Sequence, residues 1–154
     1  MKVSEIMTAA TVTDRGDDTI AQAAHRMWEQ QTGSLLIVDG AKLVGIVTER
    51  DVMKAVATGV DLASTKVSQL MRTDPITVHP GATLREAAKI MADEWIRHIP
   101  VVEGDALVGI ISQRDLTGVL AGALNEPEAL AQLVEASELA RERRLKRIEA
   151  GTWD

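Results

Sequence analysis

Four short runs of the sequence are apolar at nearly every position: Leu35 to Val38, Leu43 to Val47, Ile99 to Val102 and Leu107 to Ile111. Such runs, bounded by turn residues, read as strands that want cover on both faces. Within each pair the runs are parted by an acidic residue and a glycine, Asp39-Gly40 or Glu103-Gly104. Glycine accepts the positive φ of a tight hairpin turn, so each pair predicts a β-hairpin. Elsewhere the apolar period changes. Ile20, Ala23, Ala24 and Met27 share one face of a helix, as do Leu84, Ala87, Ala88 and Met91. Thr19-x-x-Gln22 and Thr83-x-x-Glu86 open these stretches and fit the capping box, which satisfies two otherwise unpaired backbone donors reciprocally. Ahead of each helix stand a short helical turn (Val3 to Met7; Val67 to Met71) and a short strand around Val12-Thr13 or Ile76-Thr77. A second helix follows each hairpin, from Glu49 or Gln113.

These elements are two copies of one unit. Lys2-Val3-Ser4 returns as Lys66-Val67-Ser68, Leu43-Val44-Gly45-Ile46 as Leu107-Val108-Gly109-Ile110, and Arg50-Asp51 as Arg114-Asp115, all at one offset of 64 residues. A constant, gap-free offset is the signature of a duplicated supersecondary unit. The predicted order is β-α-β-β-α, twice, giving an α/β (α+β) fold. A unit of about 60 residues is marginal alone, so the copies are expected to pack face to face about a pseudo-two-fold axis, creating two related clefts. The boundaries drawn from the pattern are residues 1–62 for repeat 1, 63–122 for repeat 2 and 123–154 for a unique tail.

The tail reads as one amphipathic helix. Asn125 or Glu126 caps it, Pro127 sits in its first turn and Gly151 ends it. Leu130, Leu133, Val134, Ala140, Leu145 and Ile148 supply an irregular apolar stripe, and Arg141, Arg143, Arg144, Lys146 and Arg147 a basic cluster. Charge runs generally face water, which predicts a solvated helix packed on its own assembly. A docking arm for a partner or nucleic acid is the alternative; no aromatic interleaves the cluster, which weakens the nucleic-acid version.

Composition narrows the picture further. Aromatics make up 2% of the chain, so the core must be aliphatic, with Met7, Met27, Met71 and Met91 filling gaps. There is no cysteine, which excludes disulfides and thiolate chemistry. A net charge of −6 argues against coating nucleic acid or anionic lipid. No apolar run approaches the roughly 20 residues of a membrane span, and no signal-peptide core follows Met1; a cytoplasmic address is the expectation. His25, His79 and His98 lack metal-ligand spacing, so no metal is expected, and no base accompanies Thr48 or Ser112 by motif, so neither reads as a nucleophile.

By their residues alone, Thr48-x-x-Asp51 and Ser112-x-x-Asp115 are helix N-caps with an acidic first turn, and Gly45 and Gly109 are positions of close strand packing. In context, Gly45-Ile46-Val47-Thr48-Glu49-Arg50-Asp51, Gly109-Ile110-Ile111-Ser112-Gln113-Arg114-Asp115 and the strand His98-Ile99-Pro100-Val101-Val102 resemble the closing segment of cystathionine-β-synthase (CBS) domains, over about residues 2 to 120. That resemblance implies a pair of repeats, a homodimer, and a regulatory site for AMP, ADP, ATP or another adenosyl ligand, with no cofactor required. It implies that Asp51 and Asp115 accept from a ribose diol, that Thr48 and Ser112, each followed by Arg50 or Arg114, meet phosphate or ribose, and that Val12, Thr13, Ile76 and Thr77 face adenine or phosphate. Arg97 and His98, ahead of Pro100, resemble the family's basic pair that meets phosphate. The chemistry is compatible: a carboxylate can accept both hydroxyls of a diol, a helix N-terminus favours an anion, and Arg grips phosphate through two bonds.

The copies differ in one respect. Where repeat 2 has Arg97-His98-Ile99-Pro100, repeat 1 has Gly33-Ser34-Leu35-Leu36, so unequal clefts are expected. The leading expectation is a regulatory module that binds an adenine nucleotide and reports to an effector protein, without catalysis. The alternatives are a ligand-free dimerisation scaffold and a partner- or nucleic-acid-binding regulator that uses the basic helix.

Overall fold

A computed structural model of the chain describes residues 1–9, 13–123 and 127–151. Its elements are β1 (Thr8–Ala9), β2 (Thr13–Asp14), α1 (Ile20–Glu29), β3 (Ser34–Asp39), β4 (Lys42–Thr48), α2 (Glu49–Ala57), α3 (Leu84–Asp93), β5 (His98–Glu103), β6 (Ala106–Ser112), α4 (Gln113–Ala123) and α5 (Pro127–Ala150). Short 3-10 turns at Val3–Glu5 and Val67–Gln69 precede each repeat. The two hairpins form as expected, each strand running about one residue beyond its apolar run. Both carry an irregularity at the same place, between Ile37 and Val38 and between Val101 and Val102. The six described strands make one sheet, in which, among the described residues, the hairpins pair at their turn ends, through Lys42 and Ala106.

Helices α1 and α3 start at the predicted capping boxes, where Thr19 and Thr83 accept from Gln22 and Glu86. Ile20, Ala23 and Met27 are buried under α1, and Ala87 and Met91 under α3; Ala88, expected on that face, is exposed. One short strand also departs from expectation. Thr13–Asp14 pairs in parallel with Leu36–Ile37, but in repeat 2 the pairing shrinks to a single bridge, Val78 with Val101, and Ile76-Thr77 is no strand. Pro100 supplies the reason: it stands where repeat 1 has Leu36, opposite Thr77, and has no N–H with which to carry the ladder back from Val78.

The packing units are not continuous along the chain. Val3, Ile6 and Met7 pack into the core of repeat 2 with Val78, Ala87, Met91, Ile99, Val101 and Ile111. Val67, Leu70 and Met71 pack into the core of repeat 1 with Ala23, Met27, Leu35, Ile37 and Val47. The exchange is hydrogen-bonded symmetrically. The Val3 and Ser4 amides donate to Ala82 and Pro80, and the Val67 and Ser68 amides to Asp18 and Gly16. Each leader is thereby laid across the other repeat's second strand. A side chain at Gly109 would place its Cβ 2.8 Å from Met7 Sδ and 2.8 Å from the Thr8 carbonyl oxygen, and one at Gly45 2.6 Å from Met71 Sδ. This close approach is why both strands carry glycine there. Each repeat thus closes its partner, and burying the leaders fixes the two units as one body.

Helix α5 runs Pro127–Ala150 and ends at Gly151, as the pattern predicts. The caps expected at Asn125 or Glu126, and the side chains of Leu130, Leu133 and Ala140, lie outside the described residues. Val134, Leu145 and Ile148 are exposed. No described helix is long and apolar enough to cross a membrane.

Candidate functional site

Each second helix begins where a hairpin strand ends, and the same capping box fixes both junctions. Asp51 Oδ2 accepts from the Thr48 amide and hydroxyl, each at 2.7 Å, and Thr48 Oγ1 accepts from the Asp51 amide at 3.4 Å. Asp115 and Ser112 reproduce these three bonds at 2.7, 2.7 and 3.4 Å. The capping reading therefore holds at both sites. It engages one carboxylate oxygen of each Asp with its own turn, and leaves Oδ1 outside those bonds on a residue that lines a cleft.

Two clefts lie on the pseudo-symmetric positions, each built from both repeats. The Asp51 cleft, of about 580 Å³, joins Ile46, Thr48, Arg50 and Asp51 of repeat 1 to Ile76, Ile96, Arg97, His98 and Pro100 of repeat 2. The Asp115 cleft, of about 790 Å³, joins Ile110, Ser112, Arg114 and Asp115 to Gly33, Ser34 and Leu36, and to Thr8 and Ala9 of β1. Both volumes fall in the few-hundred to thousand Å³ range of small-molecule sites. Of the residues singled out from the sequence, Thr48, Arg50, Asp51, Ile76 and Pro100 line the first cleft and Ser112, Arg114 and Asp115 the second. Arg97 and His98 line both. Thr13 and Thr77 are not among the described lining residues: Thr13 is held in β2 against Leu36, and Thr77 is exposed. Val12 lies outside the described residues.

Charge separates the clefts. The Asp51 cleft gathers Arg50, Lys54, Arg72 and Arg97 against the carboxylates of Asp51 and Glu94. The Asp115 cleft has Arg97 and Arg114 against Glu49 and Asp115. The counterparts of Lys54, Arg72 and Arg97 there are Gly118, Thr8 and Gly33, which removes three cations. Ser34, the counterpart of His98, is buried, and its hydroxyl has no hydrogen-bond partner among the described residues. Burial first, and then the Arg97 guanidinium, hold the His98 imidazolium below its usual pKa, against the opposing pull of Glu49 and Asp115. At neutral pH, His98 is therefore a neutral ring that donates and accepts.

Sequence reasoning missed Lys54, Arg72, Glu49 and Trp95. Lys54 and Arg72 carry no motif and enter through a helix turn and the exchanged leader, and Glu49 lies inside the segment Gly45 to Asp51 without a role of its own there. Trp95 had a signal, being one of three aromatics in the chain. It takes a left-handed backbone, φ 57°, as does its counterpart Gln31 at 52°, and so turns its indole to the Asp51 cleft at the end of α3. The basic tail reaches the same corner: Arg143 pairs with Asp93 at 2.6 Å, and the Arg147 guanidinium lies 5.2 Å from the Trp95 ring centroid. Lys89 and then Arg143 hold the Asp93 carboxyl below the usual range. Among the described residues no three His, Asp or Glu side chains converge as a metal-binding group.

The paired units, the exchanged leaders and the two clefts define a tandem pair of one duplicated unit. The family model for the CBS domain matches twice, over residues 3–58 and 67–122, and the chain belongs to the CBS domain family. It is similar to the CBS domain-containing protein YhcV of Bacillus subtilis, 34% identical over 115 residues that span 74% of this chain and 81% of that one. Among solved structures it resembles the CBS domain pair of protein MJ0100 in complex with 5′-methylthioadenosine and S-adenosyl-L-methionine. The TM-score there is 0.74 at 28% identity, covering 80% of this chain and 98% of that one. It also resembles the CBS domain protein PAE2072 from Pyrobaculum aerophilum complexed with AMP, with a TM-score of 0.72 at 28% identity, covering 88% and 99% of the two chains.

Proposed function

We propose that the chain is a non-catalytic regulatory module whose Asp51 cleft binds a phosphorylated adenosyl ligand and whose occupancy is read by an effector protein. The observation that carries this reading is the concentration of Arg50, Lys54, Arg72 and Arg97 around an apolar pocket at the start of α2. A phosphate taken out of water needs its charge met, and guanidinium groups meet it through strong, paired bonds. The apolar walls of Ile46, Ile76, Ile96 and Pro100 suit a flat base, and Asp51 Oδ1 suits a ribose diol. The relatives solved with AMP and with S-adenosyl-L-methionine support the ligand class. Thermal unfolding with AMP, ADP, ATP, adenosine and S-adenosylmethionine tests it, since a site filled at 100 times its Kd stabilises the fold by about 2.7 kcal/mol. A melting temperature unmoved by the whole panel would leave a dimerisation scaffold with empty clefts.

The assembly that presents these clefts is proposed to be a homodimer. Met53 and Val56 on α2 and Leu120 on α4 are exposed, apolar residues on the second helices of the two repeats. A two-fold dimer would cover them with the same faces of a second copy.

A further inference from the structure

The two clefts share one basic residue pair, Arg97 and His98, because repeat 1 has Gly33 and Ser34 in its place. At the axis, repeat 1 presents Gly33 and repeat 2 presents Arg97. A Cβ on Gly33 would stand 2.9 Å from Glu49 Oε1 and 3.0 Å from His98 Cε1, so a side chain there would crowd both. Glu49 and His98 close on the space that Gly33 leaves, and Arg97 meets Glu49 at 3.4 Å. Glu49 lines the Asp115 cleft, whereas Arg97 lines both.

From this geometry we propose that Arg97 and Glu49 couple the two clefts, so that a phosphorylated ligand in the Asp51 cleft disfavours a second anionic ligand in the Asp115 cleft and favours a cationic adenosyl ligand there. The inference rests on the adenosyl-binding reading above. An ion pair as exposed as Arg97–Glu49 contributes little by itself, so a phosphate can draw the guanidinium away at small cost. The withdrawal changes the Asp115 cleft twice. It loses one of its two guanidinium groups, leaving Arg114, and the Glu49 carboxylate is released beside Asp115. The Asp51 cleft relies on Arg97 less, because Arg50, Lys54 and Arg72 remain there whatever Arg97 does. The order of filling is therefore set: an anion enters the Asp51 cleft first. The charged groups that remain at the other cleft are two carboxylates and Arg114, beside His98 and the Ser34 hydroxyl, which has no hydrogen-bond partner among the described residues; two carboxylates against one guanidinium suit a ligand bearing an ammonium or sulfonium group. The coupling is reciprocal by thermodynamic necessity: a cation held by Glu49 in the Asp115 cleft leaves Arg97 free for phosphate in the other.

Titration calorimetry on the full chain tests the coupling, with ATP as the anionic probe, S-adenosylmethionine as the cationic one and adenosine as the neutral one. The expected result is one strong ATP site and a second at least about tenfold weaker. S-adenosylmethionine should bind the ATP-saturated chain about fivefold more tightly than the free Asp115 cleft, within the usual span of coupling between sites. Adenosine should gain less. Asp115→Ala should abolish the binding that persists under ATP, which assigns it to that cleft. Glu49→Gln should erase the gain for S-adenosylmethionine without weakening the first ATP. Two equal ATP sites, or an S-adenosylmethionine affinity indifferent to ATP and to Glu49→Gln, would overturn the coupling and leave adenosyl binding standing. Failure of all three probes to bind would remove the adenosyl reading, and the coupling with it.

Discussion

The Arg26 guanidinium lies directly against the carboxylate of Asp14, whose side chain is fully buried, and also meets Asp18 at 3.1 Å. At the three equivalent positions repeat 2 has Val78, Ala82 and Ile90, which pack on its core. One copy thus holds an ionic cluster where the other holds hydrocarbon. Burial raises the Asp14 pKa, while hydrogen bonding to Asp14 and to Arg26 lowers that of Asp18, so the carboxyl shared least with water is the one that keeps a proton longest.

Replacing Asp14, Asp18 and Arg26 together by Val, Ala and Ile should leave stability within about 1 kcal/mol of the natural chain or raise it, since apolar substitutes for a buried ion cluster are often neutral or stabilising. Arg26→Ile alone should cost about 1–3 kcal/mol, less than a fully buried pair because Arg26 is 36% exposed. Urea unfolding of both variants decides it. A triple variant much weaker than the single one would mean that the cluster holds repeat 1 in a way repeat 2 does not need.

Asp51→Ala removes a cap and a cleft carboxylate at once, and should cost about 1 kcal/mol of stability in addition to ligand affinity. Asp51→Asn separates the roles. Its amide oxygen can still accept from Thr48, so stability should hold, while the changed polarity at the cleft should weaken adenosine and ATP alike. Chemical denaturation and calorimetry on the two variants distinguish a cap from a ribose contact. Unchanged affinity in Asp51→Asn would leave only the cap.

The lowered pKa of His98 sets a sign for pH. An anion beside the ring favours the imidazolium, so affinity for ATP should rise as pH falls from about 7 toward about 5.5, while adenosine shows no such trend. In the ligand-free chain the same depression opposes folding in acid. The unfolded chain protonates first, so stability is complete above the unfolded pKa and falls as pH drops below it. Calorimetry of ATP and adenosine across this range checks the first statement; an identical trend for both ligands would assign the pH effect to another group.

Gly109→Ala should destabilise the chain by about 1–3 kcal/mol through overpacking, because the new methyl meets the Thr8 carbonyl, which is backbone, as well as Met7. Gly45→Ala should cost somewhat less, since the backbone oxygen it meets, that of Arg72, stands at 3.0 Å and its closest neighbour is the flexible Met71 side chain. Thermal unfolding ranks the two.

Light scattering at micromolar concentration should return about twice the chain mass of 16.6 kDa. Met53→Glu with Val56→Glu should shift the population toward monomer; a monomer in the unmutated chain at every concentration would remove the proposed dimer.

Much of this protein was legible along the chain. Hydrophobic period, acidic-Gly turns and Thr-x-x-Gln/Glu boxes act within a few residues of one another, so hairpins, helix starts and the duplication could be read without coordinates. So could the capping pairs Thr48–Asp51 and Ser112–Asp115, because they are local. The duplication also implied a pairing about a pseudo-two-fold axis; what the sequence could not carry was which side chains meet across it. Only the fold shows that Val3 and Val67 close each other's repeats, because two cores of similar apolar composition accept either leader by pattern alone. Only the fold brings Arg72, Lys54 and Trp95 to Asp51, and only the fold decides which cleft Arg97 and His98 serve. They line both, and His98 stands against Gly33, where a side chain would crowd it.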